Sequence, residues 1–246
     1  MRATPRMGFA MTETEKPVLL SIDARGIATA TLNRPHKGNA YNAAMLEGLI
    51  AGLDQLRPDT AIRGLVIRGA GAHFQAGADI DWLAEVAAYP PEPAFAASLA
   101  TTEAMRKLNE FPKPTFAVIQ GACFGGGVGI TCCVDVALAT PAAQFGITEV
   151  RVGVAPTPIS THMVDALGLR QTRRYAITGE RFDAAEALRW LSEMGADEII
   201  GEDPVNRLAA PAAKPAPAAT ATRAAREARP SCCASNRARA HALWCW

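Results

Sequence analysis

The sequence is poor in several features that would commit a protein to a particular place or partner. Aromatic side chains make up 6% of the 246 residues, and the formal net charge at pH 7 is only +1. A balance this even lacks the basic excess of a general nucleic-acid binder or a polybasic membrane anchor. No apolar run approaches the roughly 18–20 residues that cross a bilayer. The opening MRATPRMGFAMTETEKP has a short basic start but no apolar stretch of secretory-signal length, and Met7 and Met11 are alternative starts. The cysteines, Cys123, Cys132, Cys133, Cys232, Cys233 and Cys245, include no C-x-x-C pair, so the common zinc and dithiol signatures are missing. Adjacent residues such as Cys132 and Cys133 are badly aimed for pairing with each other. The histidines, His36, His73, His162 and His241, show neither ligand spacing nor a triad partner. A cytoplasmic protein with reduced thiols and no metal site is the expectation.

What is present is ordinary globular material: 49% hydrophobic and 20% charged residues, enough for one sizeable core. It is unevenly spread. From Gly201 onward seven basic residues meet three acidic ones, and beyond Leu208 the only Leu, Ile, Val or Phe is Leu243. Such a segment buries too little apolar surface to offset its ordering entropy. The expected organisation is a flexible N-terminus over 1–16, a core domain over 17–200, and an Ala/Pro/Arg-rich, poorly ordered tail over 201–246. At most a frayed helix over Thr222–Arg229 is expected in that tail.

The core alternates strand and helix patterns, an α/β arrangement. Val18–Asp23 and Ile27–Leu32 read as a hairpin turning through Ala24-Arg25-Gly26. Asn42 is placed to cap a helix over Ala43–Leu56, whose leucines recur at helical spacing. Gly64–Arg68 and Thr115–Gln120 read as strands, Ser98–Glu110 as a helix, and Val134–Ala139 as a further strand. Asp183 and Glu186 form a D-x-x-E start for a helix through Trp190. An opening hairpin argues against a sheet built only from βαβ crossovers.

Three segments carry chemistry. Gly121–Ile130, GACFGGGVGI, runs from a strand through a glycine cluster into a helix. Glycines let backbone N–H groups approach a ligand, and a helix N-terminus carries unpaired donors and partial positive charge. The segment suits an anion or a developing oxyanion; close helix–strand packing is the alternative. The strict G-x-G-x-x-G of dinucleotide sites and the Gly-Lys-Ser/Thr of P-loops are both absent. Phe74–Ile80, FQAGADI, is a second glycine turn after a strand: alone it reads as a plain turn, but paired with the glycine cluster it can aim an N–H at the same oxygen. In Phe145–Pro156, FGITEVRVGVAP, Glu149 sits among apolar residues, where a carboxylate can have a raised pKa and act as acid or base. A solvated pair with Arg151 is the plainer alternative.

These segments, together with TLNRPHKGNAYN (Thr31–Asn42) and GACFGGGVGITCCVDVALAT (Gly121–Thr140), resemble the crotonase superfamily of enoyl-CoA hydratases and isomerases from about Val18 to Trp190. The FGGGVG, ITEVRVGVAP and TPIS details most resemble the bacterial branch acting on methylglutaconyl- and isohexenylglutaconyl-CoA. The resemblance implies a crotonase-like spiral of repeated ββα units. It implies that the amides of Ala78 and Gly126 form an oxyanion hole and that Glu149 is the catalytic acid/base. It further implies that Lys37, Ala40, Ala76, Asp79 and Ile80 hold the acyl-CoA, with Gly125, Gly129 and Thr157 lining the site and Tyr41 and Trp82 near the acyl group. The acyl-CoA is the implied partner, with no separate cofactor, in a homotrimer or hexamer.

Two departures stand out. Gly129 occupies the place of a first glutamate common in hydratases, and beyond Trp190 the usual C-terminal helices give way to the tail. The expected activity is hydration of a 2-enoyl-CoA, with a branched glutaconyl-type acyl group. A 3,2-enoyl-CoA isomerase using one glutamate is the alternative, and a non-catalytic acyl-CoA binder a third reading. In this reading Gly129 makes room for a branched acyl group.

Overall fold

A computed structural model of the chain describes residues 16–193. The expected tail, its helix over 222–229 and nearly all of the N-terminal segment lie outside the described residues. The chain begins as the hairpin β1 (Val18–Ile22) and β2 (Ile27–Leu32). The Asp23 carboxylate accepts the amides of Arg25 and Ile27, each at 2.9 Å, which shapes the turn. Gly26 completes it at φ +79°, with the Ala61 carbonyl occupying the place of a side chain.

Helix α1 (Ala43–Leu56) starts where Asn42 accepts the Met45 amide at 3.1 Å. Its Met45, Leu46, Leu49, Leu53 and Leu56 are buried at helical spacing. There follow β3 (Gly64–Gly69), α2 (Ile80–Ala87), α3 (Pro91–Asn109), β4 (Thr115–Ile119), β5 (Ala122–Phe124), α4 (Gly126–Cys133), β6 (Val136–Ala139) and β7 (Gln144–Gly146). Helix α5 (Ser160–Thr178), β8 (Arg181–Asp183) and α6 (Ala184–Glu193) complete the described chain.

The strands form two sheets. The larger is ordered β1-β2-β3-β4-β6, antiparallel at the hairpin and parallel thereafter. The smaller is β5-β7-β8. Isolated parallel bridges, Tyr41 with Ala78 and Gln75 with Cys123, carry the smaller sheet's pairing back into the earlier loops. Each turn of the chain thus contributes to the large sheet, then to the small layer, then forms a helix. This is the mixed α/β crotonase-like spiral. Ala28, Ala30, Leu32, Leu65, Ile67, Ala117, Ile119 and Ala137 are buried along the large sheet and join the α1 side chains in one core.

Several bounds differ from expectation for local reasons. Helix α3 begins at Pro91 rather than Ser98, since proline is well suited to a first helical turn. Strand β6 begins at Val136, because Asp135 is occupied elsewhere: its carboxylate accepts the Thr115 amide and hydroxyl at 2.8 Å each, and its amide donates back at 2.9 Å. The start of α6 follows its expected cap, with the Glu186 amide donating to Asp183 at 2.8 Å.

Asn39 fastens the loop after β2. It is fully buried at φ +58°, the one non-glycine residue at positive φ among those described. Its Nδ2 donates to the Ala70 and His73 carbonyls at 2.8 Å each, and its Oδ1 accepts the Arg34 amide at 2.9 Å. Asn39→Ala is expected to cost about 1–3 kcal/mol for each buried group left without a partner. Urea unfolding of the two proteins measures the loss.

Candidate active site

The site is built where two glycine turns are stitched together by one glutamine. Gln75 is buried, its amide donates to Ala122 at 3.0 Å, and its carbonyl accepts the Phe124 amide at 2.8 Å. Its side-chain oxygen accepts the Gly77 amide at 3.1 Å. Gly127 lies so close that a Cβ there would stand 2.7 Å from the Gln75 carbonyl oxygen. On the other side, Tyr41 donates to Gly77 at 2.9 Å and accepts from Asp79 at 2.8 Å. These bonds use the amides around Ala78 and leave that of Ala78 itself unmatched. The Gly126 amide, first in α4, is likewise without an acceptor among the described residues. Both residues line the same cavity.

A part-buried ion pair braces the first of these turns. Arg34 donates to the Asp79 carboxylate at 2.7 Å and to the Ala40 carbonyl at 2.6 Å. Asp79 also accepts the Asp81 amide at 3.1 Å, capping α2. Burial pushes the Asp79 carboxyl upward, but the Arg34 and Asp81 hydrogen bonds and the charges of Arg34 and Lys37 outweigh it, leaving the pKa lowered. Lys37 pairs with Asp81 at 2.6 Å on the surface beside it.

The cavity holds about 240 Å³. Glu149 enters it from a short 3-10 turn over Glu149–Val152 that follows β7. Its Oε2 is buried with no hydrogen-bond partner among the described residues. Desolvation raises its pKa above the ordinary value, against weaker opposition from the amides of Glu149 and Thr148. A Cβ on Gly125, which sits at φ +52°, would approach Glu149 Oε1 to 3.0 Å, so the carboxylate lies directly against that glycine. Arg151 turns away and donates to the Gly179 carbonyl at 3.0 and 2.8 Å, which removes the plainer reading of Glu149 as a solvated pair. The opposite wall comes from α2 and α3: Ile80, Trp82, Leu83, Val86, Ser98 and Thr101 among them.

Of the expected site residues, Glu149, Ala78, Gly126, Ala76, Ile80, Gly125 and Thr157 line this cavity, as do Tyr41 and Trp82. Lys37, Ala40 and Asp79 do not. Ala40 and Asp79 are tied up by Arg34 and serve the loop's shape. Gly129 requires a correction. It is outside the cavity lining, and the space beside its Cα is filled by Ile159 and Met105. No room for a branched acyl group lies there; the glycine permits close approach of α4 to the segment before α5. Ser98 and Thr101 were missed by sequence reasoning. Their i,i+3 spacing on one helix was the available sign. Cys123 and Cys133 are buried free thiols, with pKa values pushed up to about 12 by burial, so neither is poised as a nucleophile. His73 accepts the Ala122 amide at 3.2 Å, a structural use.

A pair of unmatched amides beside one buried carboxylate is equipment for polarising a carbonyl and moving a proton next to it. The chain belongs to the enoyl-CoA hydratase/isomerase family, which it matches over residues 23–229. That match runs past Trp190, where the motif-based resemblance ended. Among curated relatives it is 35% identical to the hydroxycinnamoyl-CoA hydratase-lyase of Pseudomonas fluorescens, over 69% of this chain and 61% of that protein. It is 32% identical to the 2,3-dehydroadipyl-CoA hydratase of Escherichia coli, over 64% of this chain and 60% of that protein. The chain thus spans less than two thirds of the length of either. Among solved structures, an enoyl-CoA hydratase from Shewanella pealeana aligns at TM-score 0.69 and 35% identity, covering 73% of this chain and 70% of that one. Pseudomonas aeruginosa AtuE aligns at TM-score 0.68 and 40% identity, covering 71% and 67%. No helix of the described residues is long and apolar enough to cross a membrane.

The close packing at Gly129 is testable. A Cβ there would collide with the branched Ile159 side chain. Gly129→Ala is therefore expected to cost about 1–3 kcal/mol through overpacking, despite alanine's better helix propensity. Thermal melts should show Ile159→Ala recovering part of that loss in the double variant, although Ile159→Ala is destabilising alone.

Proposed function

We propose that the protein is an enoyl-CoA hydratase, adding water across the double bond of a 2-enoyl-CoA thioester. The observation that carries this reading is the convergence on one cavity of the unmatched Ala78 and Gly126 amides and of the half-buried Glu149, whose Oε2 is enclosed. In this reading the two amides receive the thioester oxygen as enolate charge develops on it; losing one such donor typically costs about 10²–10³ in rate. Glu149 takes a proton from water and returns it at the α-carbon. Ala76 and Ile80 border the acyl-CoA within the cavity and Thr157 forms part of its wall, while Lys37, outside the lining, is the cation proposed for the nucleotide phosphates. The acyl-CoA is the only partner this chemistry needs, and coenzyme A enters as part of the substrate.

The acyl group is the finer question. A branched glutaconyl-type thioester carries a second carboxylate, yet Glu149 is the only charged side chain among the described lining residues. Bringing another carboxylate into the same partly desolvated space is unfavourable. The lining favours a neutral acyl group over the glutaconyl type. A second reading is favoured by the same observation: one carboxylate suffices to shuttle a proton between carbons, the work of a 3,2-enoyl-CoA isomerase. Crotonyl-CoA, 3-methylglutaconyl-CoA and a 3-enoyl-CoA, assayed side by side, separate these readings. Binding of CoA without turnover of any of them would favour a non-catalytic acyl-CoA binder.

Glu149→Gln keeps shape and removes proton transfer, so turnover is expected to fall at least about 10²-fold with acyl-CoA binding retained. In the wild type the pH–rate profile should lose activity on its acid side with a midpoint above the ordinary glutamate value of 4.5, because the raised pKa keeps the carboxyl protonated to higher pH. The stability sign is opposite to that of a paired carboxylate. A raised folded-state pKa means ionisation costs stability as pH rises through that value. The Gln variant should melt above wild type at neutral pH, with the difference closing once the wild-type carboxyl is protonated in acid.

A further inference from the structure

Sequence position 129 holds glycine, so no carboxylate partners Glu149 from α4, and no other acidic side chain lines the cavity among the described residues. Hydration nevertheless needs its water oriented as well as its proton moved. The group best placed to help is Tyr41. Its ring lies over α4: a Cβ on Gly126 would come within 2.6 Å of Tyr41 Cε1. The adjacent glycine, Gly125, lies against the Glu149 carboxylate. Phenol and carboxylate therefore flank one Gly125–Gly126 peptide from its two neighbouring Cα positions. The ring is held edge-on to Trp82, centroids 5.7 Å apart.

Thr101 on α3 lines the same cavity as Tyr41, and its side chain is among the groups that act on the phenol. Met105, one turn along α3 from Thr101, packs beside Gly129 together with Ile159. Gly126 and Gly129 are three apart on one face of α4. The Tyr41 ring and Met105 thus lie against α4 one turn apart, Met105 beside the position that lacks a carboxylate.

We infer that the Tyr41 hydroxyl, steadied by Thr101, holds the attacking water beside Glu149, supplying the polar contact that Gly129 does not. The inference rests on the hydratase reading. In the step itself, the water oxygen bonds to the β-carbon and the π electrons move toward the thioester oxygen. The water proton passes to Glu149 and then to the α-carbon. Tyr41 keeps its own proton throughout. That fits its surroundings, since burial and the Glu149 charge push the phenol up to about 12. It acts as a neutral hydrogen-bonding group and does not serve as a base.

Tyr41→Phe tests this, with Thr101→Val as a second variant that leaves the phenol in place and removes its partner. Each is purified as the full chain and checked by thermal melt. Two reactions are then read: hydration of crotonyl-CoA, and exchange of the α-protons of butyryl-CoA in D₂O. The exchange needs the amides and Glu149 but no attacking water. The expected result for Tyr41→Phe is a hydration kcat lower by about 10- to 100-fold, with KM and exchange rate within about threefold of wild type. Thr101→Val should move in the same direction by less. An unchanged kcat in Tyr41→Phe overturns the inference while leaving the hydratase reading intact. Parallel loss of hydration and exchange also overturns it, assigning Tyr41 a structural role. A wild type that exchanges α-protons but hydrates no 2-enoyl-CoA overturns the hydratase reading, and this inference with it.

Discussion

The active region depends on the parallel junction of Gln75 with Cys123. Two glycine turns that are about 50 residues apart in sequence must present amides to one small space, and turns of that kind are individually soft. The junction removes the softness by backbone pairing on both sides of Gln75 and by returning the glutamine side chain to Gly77. With the amides on either side of Ala78 consumed, and Gly126 placed at the head of α4, two donors remain pointed away from secondary structure. Preorganisation of this kind costs stability at folding and spares reorganisation during reaction. The short β5-β7-β8 layer has too few residues to be a core. Its value is to lock successive turns of the spiral to one another.

The same logic governs charge. Arg34 is half-buried against the buried Asp79, both are hydrogen-bonded, and their pairing keeps the carboxylate ionised and the turn before α2 braced. Glu149 is half-buried with no cationic partner and only two weak amide contacts among the described residues, and its energetic position is the reverse. The fold keeps one carboxylate in a state it would not choose, at a cost that neighbouring paired groups do not bear. Buried charges of both kinds occur within one short stretch of structure, so burial alone does not mark a reactive group; the missing partner does.

Much of this was legible in the sequence. The Asn42 cap, the α1 leucines and the hairpin at Gly26 are local, and local rules place them. Glu149 and the glycine turns were legible through motifs. The elements that escaped are β5, β7 and β8, each three residues long, where no period can develop and only pairing partners define a strand. Helix α5 escaped for another reason: Gly168, at φ 75° and ψ 156°, interrupts its regular backbone and so breaks the pattern of its apolar face. The α3 wall of the cavity was legible only as the i,i+3 spacing of Ser98 and Thr101, which look like ordinary surface residues until α2 and α4 are placed against them. Gly129 was misread because a glycine in a catalytic motif suggests space for ligand, whereas the tertiary neighbour that takes the space, Ile159, lies 30 positions away.

That misreading bears on the whole cluster. GGGVG looks like one device with one purpose, yet its glycines meet four different neighbours. A carboxylate lies against Gly125, an aromatic ring against Gly126, the Gln75 backbone against Gly127, and apolar side chains against Gly129. Only Gly125 and Gly126 among them line the cavity. The other two hold α4 at the distance from its neighbours that lets the first two exist. A helix of eight residues with so many glycines has little intrinsic stability. Its conformation must come from those four contacts, so the donor at its head is only as well placed as the packing around its far end. The chemistry of the cavity and the packing of Ile159 and Met105 are therefore two ends of one short lever.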